Sequence, residues 1–213
     1  PKEYMISPKT AQTMLDEALE VALEYRVSAP SQEELSTWTQ YLSSGAYAEA
    51  TAGFIACLEE LTPAWAMIDT EETPPVLNYA ISKHVSDLVK KGGFNTMLEA
   101  EYGSTGQAGK SQGYVSLSED ELYDFSKQVA GFVKYTGARG ISYPIGMEHA
   151  APSAEKHEPD QKRLEAVQRE IIKESGYYAP FAQHGGTGAK QLAKGLVAKN
   201  NINTYFLVEI AQN

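Results

Sequence analysis

From Trp65 onward, short apolar runs alternate with amphipathic stretches, and no other feature of the sequence restricts the fold as strongly. Five strand–helix units in succession predict a parallel sheet with right-handed crossovers. The predicted strands cover residues 65–69, 94–102, 140–145, 179–183 and 200–204, and the predicted helices cover 77–91, 118–135, 160–175 and 189–198. A closed βα barrel and an open doubly wound sheet both fit this alternation, so periodicity alone does not choose between them.

The first 64 residues are less regular. Ser7-Pro8 is a typical helix start, and apolar residues follow it at helical spacing. A second helix is predicted over 47–61, and only 25–29 and 37–42 look like strands. The sequence therefore predicts about seven strands in all. Because no repeat or long linker interrupts the chain, we expect a single domain over 1–213, shorter than the ~250 residues that an eight-stranded barrel usually needs.

Charge and composition argue against several classes of partner and of structural site. The net charge of −10 argues against nucleic acid or an anionic membrane surface as the main partner. The single cysteine, Cys57, excludes an intrachain disulfide framework and a cysteine-rich zinc site. No apolar run approaches the ~18 residues of a membrane span, and no signal peptide is seen. We therefore expect a protein of the cytoplasm or an organelle matrix.

Polar side chains gather where the predicted strands end, and in parallel βα folds these ends form the functional face. They are Asp69, Glu99, Glu101, His149, His184, Asn201, Asn203 and Thr204. Two imidazoles and a carboxylate at one edge are a typical zinc ligand set. A single histidine at a strand end is more often the partner of a backbone carbonyl, but the coincidence of His149, His184 and Glu101 makes the metal site an equal alternative. His84, within a helix, and His157, in a charged loop, are predicted to be solvated.

A glycine-rich turn, Gly185-Gly186-Thr187-Gly188, lies between a predicted strand and a predicted helix. Backbone amides at such a turn, together with a helix N-terminus, favour an anion, and Thr187 adds a hydroxyl. Glycine-rich turns are weakly specific by themselves, since tight turns need glycine anyway. A histidine directly before the turn makes the pattern more specific.

Six motifs appear in one order along the chain. They are Met67-Ile-Asp69, Leu98-Glu-Ala-Glu-Tyr-Gly103, Ile145-Gly-Met-Glu-His149, Lys156-His-Glu-Pro159, His184-Gly-Gly-Thr-Gly188 and Asn201-Ile-Asn-Thr204. In this order the chain resembles the class II, zinc-dependent fructose-bisphosphate and tagatose-bisphosphate aldolases, clearly over 65–213 and more weakly over 1–64. The resemblance implies a TIM-type βα barrel, here abbreviated or incomplete in its N-terminal units.

The resemblance also implies roles for single residues. His149 and His184 would bind Zn²⁺, with Glu101 as a neighbouring or alternate ligand, and Asp69 would lie at the edge of the site near a monovalent cation. Contacts with a sugar phosphate would come from Lys156, Gly185, Gly186, Thr187, Gly188, Asn201, Asn203 and Thr204. In the family's chemistry zinc polarises a ketose carbonyl and stabilises an enediolate.

Several family positions are missing. The family's Leu-Asp-His-Gly motif, which supplies a proton-transfer aspartate and a zinc histidine, is best matched by Leu42-Ser43-Ser44-Gly45. A neutral hydroxyl is a poor zinc ligand and a poor general base. The family's mobile loop carries a glutamate, whereas residues 104–117 contain no acid, and the glycine after the second zinc histidine is Ala150.

Three functional hypotheses follow. The first is a class II aldolase-like protein with an eroded site, serving as a low-activity or non-catalytic binding or scaffold subunit. The second is an active zinc-dependent ketose-bisphosphate aldolase with a ligand from elsewhere, and the third is a sugar-phosphate sensor. Because a shortened barrel exposes sheet edges, we also expect a homo-oligomer or a place in a larger assembly.

Overall fold

The computed structural model describes residues 2–108, 111–112, 114–154, 157–192 and 195–211. Short 3₁₀ turns lie at Lys2–Tyr4 and Gly186–Gly188, and a π-helical segment lies at Tyr205–Ile210. The helices are α1 (Pro8–Glu24), α2 (Gln32–Leu42), α3 (Gly45–Leu61), α4 (Pro75–Lys91), α5 (Glu119–Thr136) and α6 (Gln161–Ser175). The strands are β1 (Trp65–Met67), β2 (Met97–Glu101), β3 (Gly106–Gln107), β4 (Ser111–Gln112), β5 (Gly140–Ser142), β6 (Phe181–Gln183) and β7 (Val197–Asn200).

Five strands form one parallel sheet in the order β1-β2-β5-β6-β7, and β3 pairs with β4 in a separate antiparallel hairpin. The predicted α/β class and parallel sheet are confirmed. Within this sheet the strands follow one another in chain order, without the reversal of order that marks a doubly wound sheet. The described residues therefore form a five-stranded part of a βα-barrel arrangement.

The two faces of the sheet carry different chemistry because side chains alternate along a strand. Leu98 and Ala100 of β2, with Tyr102 directly after it, form the helix face, where Tyr102 contacts rings of α4 and α5. Glu99 and Glu101 lie on the opposite face, which we call the site face. The parallel register places Gly140 and Ser142 of β5 beside these two glutamates. A hydrophobic layer thus supports β2 from behind while its acidic side chains point toward the site.

Helix starts follow their sequence signals. Ser7 caps α1, with Pro8 as the first helical residue, and its hydroxyl accepts a hydrogen bond from the Thr10 amide at 3.0 Å. Ser118 and Glu121 form a capping box at the start of α5. Both contacts satisfy amides that have no partner within the first turn of a helix.

The predicted strands at 25–29 and 37–42 are wrong. Residues 37–42 belong to α2, which begins with a Ser31–Glu34 capping box and buries Leu35, Trp38 and Leu42 on one face. Their helical spacing outweighs the local alternation of polar and apolar residues. In 25–29 the backbone turns at Arg26, whose φ is +65°, and no strand forms.

The predicted helix at 189–198 is also wrong. Its described residues are irregular up to Leu196, and Val197 begins β7. The last strand is therefore Val197–Asn200 rather than 200–204. The expected oligomer stays a prediction, with β1 and β7 as the two edges of the parallel sheet. Within the described ranges, no helix combines the length and apolar character that crossing a membrane requires.

Candidate functional site

The site face brings together residues from three predicted strand ends. Glu101 ends β2, and His184 directly follows β6. The Nδ1 atom of His184 lies 3.7 Å from Oε1 of Glu101, and both side chains are buried. The ring of His149 lies 5.3 Å from the ring of His184, centroid to centroid, in an edge-to-face arrangement. The three side chains named as zinc ligands are thus neighbours at one edge of the sheet.

Beneath this edge lies an acidic residue whose partners the sequence did not indicate. Glu99 is completely buried, and its Oε1 lies 2.9 Å from Nε2 of His184. Its Oε2 accepts hydrogen bonds from Nζ of Lys199 at 2.8 Å and from Nε1 of Trp65 at 2.5 Å. Burial opposes ionisation of Glu99, but the hydrogen bonds from His184 and Lys199 outweigh it and lower its pKa. Glu99 is therefore a buried anion in contact with the site histidine.

Glu101 has the opposite electrostatic setting. The pKa of its carboxyl is raised to about 7, mainly by burial. The negative charges of Glu71, Asp69 and Glu99 add to this rise, whereas the nearby His184 opposes it. Its backbone carbonyl accepts hydrogen bonds from Asn78 at 2.7 Å and Thr70 at 3.1 Å. The main chain of Glu101 is thus fixed, while its carboxyl titrates near neutral pH.

The Glu101–His184 pair fits a divalent metal ion as two of its ligands. Oε1 of Glu101 and Nδ1 of His184 are buried atoms that make no hydrogen bond in the described structure. Two ligands of a tetrahedral zinc ion, each ~2.0–2.2 Å from it, lie about 3.3–3.6 Å apart, close to the observed separation. Nowhere in the described ranges do three histidine, cysteine or acidic side chains converge closely enough to hold a metal.

His149 faces a second carboxylate that the sequence did not single out. Its Nε2 lies 3.8 Å from Oε2 of Glu71, which follows β1. Oε1 of Glu71 accepts hydrogen bonds from the Gly106 amide and the Ser104 hydroxyl, each at 2.8 Å. Burial opposes ionisation of Glu71, but these hydrogen bonds lower its pKa below the ordinary value, whereas burial lowers the pKa of His149. The loop at 104–117, which contains no acid of its own, thus binds the Glu71 carboxylate of the loop that follows β1.

The glycine-rich turn lines a cavity of about 640 Å³ together with His149 and His184. A short 3₁₀ turn, Gly186–Gly188, replaces the predicted helix start, so no helix N-terminus is available to an anion here. The amide of Gly186 donates to the Asn201 carbonyl at 2.9 Å, and the hydroxyl of Thr187 accepts from the Tyr205 amide at 3.1 Å. The part of the anion-site prediction that used a helix N-terminus is therefore wrong, while Thr187 does face the cavity.

The remaining candidate residues are arranged around this cavity or outside it. Asn201, Asn203 and Thr204 line the same cavity. Asp69 is exposed after β1, and its Oδ1 accepts from the Glu71 amide at 3.4 Å. Lys156 lies outside the described residues.

Ser43 and Ser44 lie between two helices and not at the end of a strand. The Ser43 hydroxyl donates to the Thr39 carbonyl at 2.8 Å, after the last turn of α2. The Ser44 hydroxyl caps α3 by accepting from the Tyr47 amide at 3.2 Å. Both hydroxyls therefore form hydrogen bonds at the ends of helices.

Neither of the other two histidines is simply solvated. Nδ1 of His84 lies 2.7 Å from the Tyr47 hydroxyl, and burial lowers the pKa of His84. His157 lies in a backbone bridge to Ala189, with its amide donating to the Gly188 carbonyl at 2.8 Å. The prediction of solvation is wrong for both, because the His84 ring packs against Tyr47 and the Nε2 atom of His157 is buried.

Of the comparisons with known proteins, the one with protein-family models identifies a family. A search of curated protein sequences gives no match. A crystal structure described as the YdjI aldolase from Escherichia coli K12 is similar at 15% identity, with a TM-score of 0.46, over 98% of this chain and 74% of that one. The family model described as Fructose-bisphosphate aldolase class-II matches residues 48–213, a range that begins after Ser43 and Ser44. This chain therefore belongs to the class II fructose-bisphosphate aldolase family.

Proposed function

We propose that this family member binds a divalent metal weakly, together with a sugar phosphate, and does not cleave ketose bisphosphates efficiently. The observation that carries the proposal is that, in the described part of the chain, only two buried atoms, Oε1 of Glu101 and Nδ1 of His184, face each other as potential metal ligands. Glu101 and His184 face each other, while His149 turns toward Glu71. A metal held by only part of a ligand set is held weakly. The chain would then act as a binding or scaffold subunit.

The proton-transfer groups support the same proposal. The Ser43 hydroxyl is used by α2 and is a poor general base in any case. Residues 104–117, where the family carries a glutamate, contain no acid. General acid–base catalysis contributes about 10²–10⁴ in rate for each positioned group, so the loss of two groups leaves little turnover.

In this binding role, residues of the chain itself would contact the metal ion and the phosphate. Glu101 and His184 would hold the ion, whose contribution when bound is to polarise a carbonyl as a Lewis acid. Thr187 and Gly185 would contact a phosphate group in the cavity that they line with Asn201. The net charge of −10 favours such local hydrogen-bond donors over a general positive field.

The test combines a metal assay with an aldolase assay on one sample. After incubation with zinc and gel filtration, we expect substoichiometric zinc by mass spectrometry. We also expect no dihydroxyacetone phosphate from fructose 1,6-bisphosphate or tagatose 1,6-bisphosphate. Both sugar phosphates should raise the melting temperature, since a ligand that binds the folded state stabilises it. Stoichiometric zinc with robust turnover would contradict the proposal, and stabilisation by phosphates that is indifferent to zinc would favour a sensor.

Two observations favour an active aldolase as the second candidate. Glu71 supplies an ordered carboxylate beside His149, and Glu101 has a pKa of about 7, suited to proton transfer at neutral pH. If wild-type protein with zinc cleaves ketose bisphosphates, we expect Glu71→Gln to lower kcat by about 10²–10⁴. Glu72→Gln, at the exposed neighbouring position, is the matched control. Steady-state kinetics check this, and equal rates in the two variants would remove Glu71 from the reaction.

A further inference from the structure

The site face contains a charged group that the proposed chemistry does not use. Glu99 has no exposed surface, yet its carboxylate lies at the centre of the sheet with partners on both oxygens. A buried carboxylate is costly unless each oxygen is paired. Oε2 accepts from both Lys199 and Trp65, which leaves Oε1 for Nε2 of His184 at 2.9 Å. Every partner of Glu99 on this face is a hydrogen-bond donor or, in the case of His184, a group able to donate.

Small residues in the sheet leave room for Lys199 and Trp65 to contact Glu99. Lys199 is on β7, and β5 and β6 lie between β7 and β2. The residues in between on the site face are small, namely Gly140 beside Glu99 and Ala182 beside Lys199. A Cβ at Gly140 would lie 2.8 Å from the Trp65 ring. The small size of the residues at these positions allows the Lys199 and Trp65 donors to reach one carboxylate oxygen.

This arrangement determines which imidazole nitrogen carries the proton. The Lys199 ammonium and the Trp65 indole can only donate, so the Glu99 carboxylate is their acceptor, and its remaining oxygen, Oε1, is placed to accept from Nε2 of His184. In the neutral ring Nδ1 then keeps its lone pair, and Nδ1 is the atom that faces Glu101 at 3.7 Å without a hydrogen bond. Carboxylates that hold the distal nitrogen of a ligand histidine have this effect in metal sites generally.

We infer that Glu99, held by Lys199 and Trp65, is a positioning residue that fixes His184 in the Nε2–H tautomer and presents its Nδ1 lone pair to the site. The inference rests on the proposed function only in treating His184 as a site residue. Glu99 and Lys199 act through His184 and touch neither a metal nor a substrate. Lys199 and Trp65 hold one carboxylate oxygen of Glu99, and the other oxygen holds the His184 ring.

Nuclear magnetic resonance on metal-free protein tests the tautomer directly. In protein labelled with ¹⁵N-histidine, long-range proton–nitrogen spectra at about pH 8 report which ring nitrogen is protonated. The His184 signals are identified by their loss in His184→Gln. We expect protonated Nε2 and bare Nδ1 in the wild type, and a mixture of tautomers in Glu99→Gln and Lys199→Gln. In both variants zinc affinity, measured by competition with a chelating dye, should fall about 10–100-fold.

Matched variants separate positioning from general stability. Glu170→Gln removes a carboxylate paired with Lys127 at 2.5 Å on the helix layer and should leave the His184 tautomer unchanged. Lys199→Arg keeps the charge and should keep the wild-type tautomer. If Glu99→Gln does not fold, Lys199→Gln decides, because the Lys199 side chain is 31% exposed and tolerates replacement better.

Two results would overturn the inference. One is Nδ1-protonated His184 in the wild type, and the other is an unchanged tautomer in folded Lys199→Gln. Because the spectra need neither zinc nor substrate, failure of the proposed function has a different signature. A fixed tautomer in a protein that binds no zinc would contradict the metal proposal and support the positioning role.

Discussion

Glu101→Gln is expected to stabilise the metal-free protein by about 3 kcal/mol at pH 8 and by far less at pH 5. Burial raises the pKa of Glu101 from 4.5 to about 7. Between these values the folded state binds a proton that the unfolded state has released. The free energy of unfolding of the wild type therefore falls as pH rises through this range. Glutamine mimics the protonated carboxyl at every pH, so the variant does not have this loss.

Urea unfolding of both proteins at pH 5, 6, 7 and 8, with a chelator present, measures the difference. Glu72→Gln serves as the control, since it removes an exposed charge from the loop that precedes α4. A difference between wild type and Glu101→Gln that stays constant with pH would contradict the raised pKa. Added zinc should reverse the order at pH 8 if Glu101 is a ligand, because the ion stabilises only a state that holds it.

Gly185→Ala is expected to lower the free energy of unfolding by about 3 kcal/mol and to abolish ligand-induced stabilisation. Gly185 has a φ of +65°, and an added Cβ would lie 2.5 Å from the backbone oxygen of Glu148 and 2.9 Å from its backbone nitrogen. Backbone atoms cannot rotate away as a flexible side chain can. The variant must therefore shift the turn that follows His184 or the loop that leads to His149.

Gly176→Ala separates this clash from ordinary backbone strain. Gly176 ends α6 with a φ of +78°, but nothing lies within 4 Å of an added Cβ. We expect it to cost about 1 kcal/mol, the strain of a left-handed residue alone. Urea unfolding and thermal shifts with fructose 1,6-bisphosphate compare the two variants. Equal losses in both would show that the close approach of Glu148 is unimportant.

Local signals in the sequence predicted the elements that depend on nearby residues. The serine cap of α1 and the alternation from Trp65 to Gln183 were sufficient, because caps and periodic burial act within a few residues. The N-terminal region was harder. In α2 the burial of Leu35, Trp38 and Leu42 against other helices decides the conformation, although residues 37–42 alternate locally like a strand.

The sequence by itself determined that the sheet is parallel and that Glu101, His149 and His184 lie at one edge of it. Parallel strands joined by helices must bring their carboxyl ends to one edge. Only the tertiary structure decided the partners of these residues. Glu99 contacts His184 and Lys199, which are 85 and 100 positions away in the sequence. Glu71 contacts Gly106, which is 35 positions away. Such contacts depend on the register of the strands and on the small residues between them, and no short stretch of sequence specifies either.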